Sequence, residues 1–199
     1  MKIGVLAIQG DFAAHGKVLA ALGVEPVYVR YAAQLEEIEG LIIPGGESTT
    51  MLKLLDEERL FEPLGAFATA KPIMGTCAGA ILLAAEVTSP AQRSLGVLDI
   101  AVERNAYGRQ LDSSIRRIAP SPAFAGRAGD GELEAVFIRA PVIRRIGQGV
   151  EALLVDGGDP ILVEQGPHLA ATFHPELSAD RRVHQLFLAK VGGPVKVGA

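Results

Sequence analysis

Cysteine is nearly absent from this sequence, because Cys77 is the only one among 199 residues. No disulfide can therefore form within the chain, and a reducing cytoplasm is the expected compartment. Long apolar runs are absent too, since the longest, residues 73–85, is well short of a membrane span. The apolar start of the chain, residues 1–8, is too brief for the apolar core and cleavage region of a signal peptide. We expect a soluble protein that does not enter a membrane.

Positive charge is not in excess either. The chain carries 23 Asp and Glu residues against 19 Lys and Arg residues, a net charge of −4, which argues against a nucleic-acid partner. Hydrophobic residues make up 49% of the sequence, which over this length is enough for one large core. No internal repeat or linker divides the chain, so we expect a single domain over residues 1–199, with residues 192–199 as a flexible tail.

Strand-like and helix-like segments alternate in the first half of the chain. The expected strands cover residues 3–8, 26–30, 41–43 and 72–74. The expected helices cover residues 12–22 and 48–70, the second with a break near Pro63. Short apolar strands that alternate with helices are typical of a parallel sheet covered on both faces.

Strands follow one another in the second half. They are expected at residues 97–103, 136–139, 152–155, 161–164 and 169–173. This succession predicts an antiparallel extension beside the parallel core. Residues 120–131, rich in Pro, Gly and Ala, are expected to form a flexible loop, and residues 179–191 a closing helix. The predicted fold class is α/β, a three-layer open sheet that is mainly parallel with an antiparallel extension.

The lone cysteine is the centre of the pentapeptide Gly75-Thr76-Cys77-Ala78-Gly79, which stands between a strand-like and a helix-like run. Small residues on both sides of a nucleophile let a strand turn sharply into a helix, where a bulky neighbour would clash. The N-terminus of the following helix favours a thiolate. The pentapeptide therefore predicts a nucleophile elbow. The alternative is that Cys77 is an ordinary small buried hydrophobe.

A candidate partner for the cysteine is His174, which follows a predicted strand directly and precedes Pro175 and Glu176. Proline biases the residue before it toward an extended conformation, and side chains two apart in an extended segment point the same way. Glu176 can then reach one imidazole nitrogen while the other faces a nucleophile. The alternative is a surface histidine and glutamate at a strand end, and the presence of the elbow in the same chain argues against it.

A glycine-rich turn follows the third predicted strand, at residues 44–48. Ligands of open α/β sheets bind beyond the carboxyl ends of the strands, where this turn and the elbow both lie. The turn at Gly45 and Gly46 can present backbone N–H groups to an oxyanion, with a second donor from Ala78. Alternatively, the two glycines form only a tight turn, with Ser48 as the helix N-cap.

Phosphate and zinc sites are not predicted. Five residues rather than four separate Gly10 from Gly16, and Val18 stands where a P-loop has a hydroxyl. The four histidines show no metal-ligand spacing, so no metal is expected. Two of them, His15 and His184, are expected on helix surfaces.

The chain order distinguishes two classes of enzyme. In α/β-hydrolases the acid lies between the nucleophile and the histidine, whereas here Glu176 follows His174 by two residues. The G-x-C-x-G elbow and the His-Pro-Glu segment resemble the class I (triad) glutamine amidotransferases. The closer resemblance is to the glutaminase subunits of pyridoxal 5′-phosphate synthase, the PdxT/SNO family. It rests on residues 4–10, 44–51, 75–79, 102–105 with 108–110, 137–141 and 173–177.

The resemblance implies a flavodoxin-like fold and a glutaminase that needs no cofactor. Its ammonia would pass to a barrel-shaped synthase subunit that builds pyridoxal 5′-phosphate. Cys77 would attack the side-chain amide of L-glutamine, His174 would serve as acid and base, and Glu176 would hold the imidazole tautomer. The implied substrate contacts are Gly46, Glu47, Ser48, Arg104, Ile138 and Arg139, with Gly46 and Ala78 as the oxyanion hole.

The family also implies that activity is low until the synthase docks. Gln9 lies just past the first strand, at the edge where the glycine turn lies, and we expect it to couple docking to Gly46. Several alternatives stay open. The chain could serve another pathway, or be a cysteine hydrolase, a peptidase or a non-catalytic relative of similar fold. Either arginine could bind the substrate carboxylate.

Overall fold

The computed structural model describes residues 1–106 and 113–192. The motif residues 108–110 and tail residues 193–199 lie outside this part. The strands are β1 (Lys2–Leu6), β2 (Glu25–Val29), β3 (Gly40–Ile43), β4 (Ile73–Thr76), β5 (Ala84–Thr88), β6 (Leu98–Glu103), β7 (Ser113–Ile118), β8 (Leu133–Ile138), β9 (Val142–Ile146), β10 (Glu151–Asp156), β11 (Asp159–Gln165) and β12 (His168–Ala171). The helices are α1 (Phe12–Ala21), α2 (Ser48–Glu57), α3 (Phe61–Ala70), α4 (Ala78–Leu83), α5 (Pro122–Ala128) and α6 (Arg182–Gly192), with 3₁₀ turns at Ala32–Glu37 and Pro175–Leu177.

The central sheet has seven strands in the order β10-β11-β12-β4-β3-β1-β2. Its strands β2, β1, β3, β4 and β12 run parallel, and β11 is antiparallel to both of its neighbours. This confirms the predicted α/β class, with a parallel core and an antiparallel extension. Three strands expected in that extension lie elsewhere: β12 joins the parallel core beside β4, β6 belongs to a small sheet with β5 and β9, and β8 pairs with β7 in a two-stranded antiparallel sheet.

Both faces of the central sheet are buried, which gives three layers. In β3, Ile42 packs with one apolar cluster, and its neighbours Leu41 and Ile43 pack with the other, because successive side chains of a strand point to opposite faces. Helices α1 and α6 cover the first face, and α2, α3 and α4 cover the second. Within the described residues, none of the helices is long and apolar enough to cross a membrane.

One helical prediction was confirmed and another was wrong. The helix expected over residues 48–70 breaks near Pro63, at 58–60, and Pro63 itself lies in the first turn of α3. Proline is tolerated there because the first-turn N–H groups have no intrahelical acceptor. The loop expected at 120–131 contains α5, which Ser121 caps by accepting a hydrogen bond from Phe124 N at 3.2 Å. The fully buried Phe124 ring anchors this helix.

The carboxyl ends of four parallel strands meet at one edge of the sheet. Strands β1, β3, β4 and β12 lie side by side there. The segments that follow them are the loop with Gln9, the glycine turn at 44–48, the elbow at Cys77 and the segment with His174. The topology therefore brings the predicted site residues to one place.

Candidate active site

The backbone turns sharply at Cys77, between β4 and α4. Its φ of 48° and ψ of −105° lie in a region that non-glycine residues rarely occupy. A Cβ at Gly75 would stand 2.5 Å from the carbonyl carbon of Gly79, and a Cβ at Gly79 would overlap the Ile43 carbonyl oxygen. The two flanking glycines are thus required by the close approach of backbone to backbone, as in a nucleophile elbow.

Cys77 is a free thiol at the foot of a cleft and only 6% exposed. Its Sγ lies 4.0 Å from the Ile138 carbonyl oxygen. The predicted site residues that line this cleft are Gly46, Glu47, Ser48, Cys77, Arg104, Ile138 and Arg139. Sequence reasoning missed Ile81, Asn105 and Pro141, which also line it. Ile81 could have been found one helical turn beyond the cysteine, and the other two lie at the ends of recognised motif blocks.

His174 stands beside Cys77 and is paired with Glu176. The Nδ1 atom of His174 is 2.7 Å from Glu176 Oε1, and both residues are buried. The backbone N–H of His174 donates to the Val136 carbonyl at 2.8 Å, which holds the backbone of His174 against β8. The spacing predicted this carboxylate contact, but the route differs, because Glu176 lies in a 3₁₀ turn rather than in an extended segment.

The charge of His174 is stabilised by its two partners. Burial alone lowers the pKa of His174, but hydrogen bonds to the Cys77 sulfur and to Glu176, together with Coulombic attraction, outweigh it and raise the pKa to about 10. Near neutral pH, His174 is therefore an imidazolium between a sulfur and a carboxylate. A nucleophile, a proton-transfer group and an orienting acid in this arrangement can carry out acyl transfer.

His15 and His184 lie in the core, next to Glu176 on the side away from His174. This corrects the prediction that they sit on helix surfaces. Both are fully buried. His15 Nδ1 is 3.0 Å from His184 Nε2, and His15 Nε2 is 3.3 Å from Glu176 Oε2. Helices α1 and α6 cover the same face of the sheet, so the two rings meet beneath the site. Histidine is intermediate in its tendency to be buried, so residue type alone gave no signal.

The glycine turn leads into α2, whose N-cap is Glu47 rather than the predicted Ser48. The Glu47 side chain accepts hydrogen bonds from Thr49 N at 3.1 Å and Thr50 N at 2.6 Å. Burial raises the pKa of Glu47, but the hydrogen bonds from Thr50 and Thr49 outweigh it and hold the pKa below its ordinary value. Ser48 instead donates its hydroxyl to Gln92 Oε1 at 3.1 Å.

Two arginines line the cleft in different ways. The Arg104 side chain is 10% exposed and is held by Thr49 Oγ1 at 2.7 Å, with Glu47 Oε1 at 3.8 Å. Arg139 is exposed, with a φ of 45°. The cleft therefore has one pre-positioned guanidinium next to a carboxylate and a second one that is exposed.

Gln9 lies against the glycine turn. Its Oε1 accepts a hydrogen bond from Glu47 N at 3.2 Å. A Cβ at Gly46 would overlap the Gln9 amide, and one at Gly10 would overlap the Gly45 carbonyl oxygen. The loop after β1 therefore contacts the turn after β3 in two ways: through the Gln9 side-chain amide, and through the close approach of the Gly10 and Gly45 backbones.

The described ranges 1–106 and 113–192 contain no group of three His, Cys, Asp or Glu side chains that could hold a metal ion.

The second expected oxyanion donor, Ala78, begins α4. First-turn N–H groups have no intrahelical acceptor, so the Ala78 amide is available to a ligand next to Cys77.

The chain is similar to known proteins along almost its whole length. Residues 5–192 match the SNO glutamine amidotransferase family. The pyridoxal 5′-phosphate synthase subunit PdxT of Solibacter usitatus is 62% identical over 96% of this chain and 99% of its own. That of Koribacter versatilis is 58% identical over 96% of each chain. A crystal structure of a glutamine amidotransferase, 46% identical, has a TM-score of 0.86 over 96% of this chain and 98% of its own, which confirms the predicted fold. The chain therefore belongs to the SNO glutamine amidotransferase family.

Proposed function

We propose that this chain is the glutaminase subunit of a pyridoxal 5′-phosphate synthase. It hydrolyses L-glutamine to L-glutamate and ammonia, and the ammonia passes to the barrel-shaped synthase subunit. The observation that carries the proposal is the row of Cys77, His174 and Glu176, of which Cys77 lines the cleft. The two PdxT relatives, which match it at 62% and 58% identity, support the choice of pathway.

The reaction begins with a thiolate and an imidazolium. Cys77 Sγ attacks the side-chain carbonyl carbon of glutamine, and the N–H groups of Gly46 and Ala78 stabilise the oxyanion that forms. His174 gives its proton to the departing nitrogen, which leaves as ammonia, and a thioester remains. The neutral imidazole then takes a proton from water, which attacks the thioester and releases glutamate. Glu176 holds the His174 ring through Nδ1.

The substrate's charges fit two adjacent groups on the cleft. Free glutamine carries an α-carboxylate next to an α-ammonium, and Arg104 lies next to Glu47. We assign the α-carboxylate to Arg104, because its guanidinium is already held by Thr49 and loses little freedom on binding. Glu47 then faces the ammonium, and Ser48, Ile138 and Arg139 complete the contacts.

The chain acts as one amidotransferase domain, residues 1–199, without a cofactor or metal of its own. Its partner is the synthase subunit, and Gln9 couples docking to the glycine turn. We place it in the cytoplasm, because its one cysteine is the reacting group and is free.

The test measures ammonia and glutamate release by the purified chain, alone and with the synthase subunit of the same organism. The complete system is also supplied with a pentose phosphate and a triose phosphate, and pyridoxal 5′-phosphate is measured. We expect Cys77→Ala to abolish both activities with an unchanged circular dichroism spectrum, and a glutamine-derived electrophile to label Cys77 alone. Retained turnover in Cys77→Ala would overturn the mechanism.

Two other outcomes would overturn the assignment. Glutaminase activity without pyridoxal 5′-phosphate formation would indicate an amidotransferase of another pathway. Hydrolysis of esters or peptides in place of glutamine would indicate a cysteine hydrolase.

A further inference from the structure

The active-site row continues into the core through two further histidines. His15 Nε2 lies 3.3 Å from Glu176 Oε2 and 3.2 Å from the Thr76 hydroxyl oxygen. On its other side, His15 Nδ1 lies 3.0 Å from His184 Nε2. All three distances join atoms of fully buried or nearly fully buried residues. The chain of contacts runs from α6 through α1 to the carboxylate that faces His174.

The hydrogen-bonding requirements of these atoms select one tautomer for each ring. Glu176 Oε2 is buried without a hydrogen-bond partner of good geometry, and an ionised carboxylate can only accept. If His15 Nε2 carried no proton, its lone pair would face that oxygen. The Nε2–H tautomer instead places a donor 3.3 Å from Glu176 Oε2 and 3.2 Å from the Thr76 hydroxyl oxygen, and it leaves Nδ1 to accept from His184.

His184 fits the same scheme. When its Nε2 carries the proton and donates to His15, its Nδ1 is a bare acceptor, and this Nδ1 is the atom that is buried without a partner. The opposite tautomer would leave a buried N–H without an acceptor and place two bare nitrogens 3.0 Å apart. Unmade hydrogen bonds of buried donors are costly, so this choice fixes both rings.

We propose that His15 is a positioning residue for the glutaminase reaction: its Nε2–H holds Glu176 Oε2, so that Glu176 presents Oε1 to His174, and His184 fixes the tautomer of His15. This inference rests on the proposed function. With one oxygen hydrogen-bonded to His174 and the other 3.3 Å from His15 Nε2, the Glu176 carboxylate has a histidine on each side. Glu176, which orients His174, is thus itself held in place by His15.

The surrounding groups keep His15 neutral. Those that face it are His184 from α6, Thr76 from β4, and Glu176 and His174 from the segment after β12. Burial first, and then the proximity of His184 and His174, lower the pKa of His15 well below 6.5. Burial also lowers the pKa of His184 to about 4. Near neutral pH both rings therefore remain in single neutral tautomers.

The test compares His15→Gln with His15→Leu in the complex with the synthase subunit. A glutamine amide can place an N–H near the position of imidazole Nε2, whereas leucine fills similar space without a donor. We expect His15→Leu to lower kcat for glutamine hydrolysis roughly 10- to 100-fold, as for a lost hydrogen bond to a charged group, with KM little changed. The alkaline limb of its pH profile should move to lower pH, because a misaligned Glu176 supports the His174 imidazolium less. His15→Gln should recover most of both effects.

A matched control is His168, another buried histidine. Its Nδ1 accepts a hydrogen bond from Ile73 N at 3.3 Å, and it begins β12, at the other end of that strand from His174. His168→Leu should lower the melting temperature without moving the alkaline limb. If His15→Leu likewise lowered only stability, or if His15→Gln shifted the limb as far as His15→Leu, the positioning role would be wrong.

A spectroscopic measurement decides the contact even if His15→Leu does not fold. In the ¹⁵N spectrum of histidine-labelled wild-type protein, His15 and His184 should both show the neutral Nε2–H tautomer from pH 6 to 9. An Nδ1–H tautomer of His15 would overturn the inference. Absence of glutaminase activity in the wild-type complex would instead overturn the proposed function, and the tautomers would still be read from this spectrum.

Discussion

The imidazole of His174 occupies the space that a side chain at Gly45 would need. A Cβ built on Gly45 would overlap His174 Cε1 and would stand 3.2 Å from Cys77 Cβ. The absence of a side chain at one residue of the glycine turn is therefore what lets Cys77 and His174 approach that turn together.

The first prediction is that Gly45→Ala disables the site. The new methyl group must push the His174 ring away from Cys77, and a displacement of about 1 Å in a catalytic group costs roughly 10²-fold in rate. We expect kcat for glutamine hydrolysis in the complex to fall by about this factor, measured by ammonia release.

The control is Gly65→Ala, in the middle of α3. A Cβ there meets nothing within 4 Å, so alanine should stabilise the protein by about 0.5–1 kcal/mol through its better helix propensity and leave kcat unchanged. Equal activity of Gly45→Ala and wild type would show that the ring has room to move.

Local rules account for the parts of the site that the sequence predicted. The elbow depends on small residues within five positions of Cys77, and the contact of Glu176 with His174 depends on a separation of two. The meeting of His15 and His184 spans 169 positions, and only the packing of α1 and α6 on one face creates it. The prediction of a loop at residues 120–131 was wrong because it relied on their Pro, Gly and Ala content. The helix there depends on Phe124, which packs in the core.

The second prediction concerns pH and stability. The pKa of His174 is raised to about 10 in the folded protein and is about 6.5 in an unfolded chain. Between these values the native state holds a proton that the unfolded state has released, so the free energy of unfolding falls as pH rises. The contribution of His174 is fully present below pH 6.5 and is lost as pH rises through 10.

Urea unfolding of wild type and His174→Gln from pH 6 to 10.5 measures this contribution. The stability advantage of the wild type should shrink steadily with rising pH across this window. In Cys77→Ser, which lacks the sulfur partner, the decline should still begin near the unfolded-state pKa of about 6.5 but should end at lower pH. A difference between wild type and His174→Gln that is independent of pH would contradict the raised pKa.

The third prediction separates the two arginines of the cleft. Arg104 is nearly buried and held by Thr49, whereas Arg139 is exposed. Arg104→Gln should raise KM for glutamine roughly 10- to 100-fold, the size of a lost hydrogen bond between charged groups, with a smaller change in kcat. Arg139→Gln should change KM less. A larger effect at Arg139 would assign the α-carboxylate to that residue instead.

The last prediction concerns the response to the partner. The Gln9 amide lies on Gly46, and its Oε1 accepts the Glu47 N–H, so a movement of the loop after β1 reaches the glycine turn directly. Our hypothesis is that the Gly45–Gly46 peptide is misoriented in the free subunit, and that docking near Gln9 turns its N–H toward the oxyanion. One such donor is worth about 10²-fold or more in rate.

Glutamine hydrolysis is measured for wild type, Gln9→Ala and a control, Gln185→Ala on α6, each alone and with saturating synthase subunit. Wild type and Gln185→Ala should be stimulated alike, and Gln9→Ala much less. Equal stimulation of Gln9→Ala would remove the coupling role from Gln9, and a wild type that the synthase subunit does not stimulate would contradict the choice of partner.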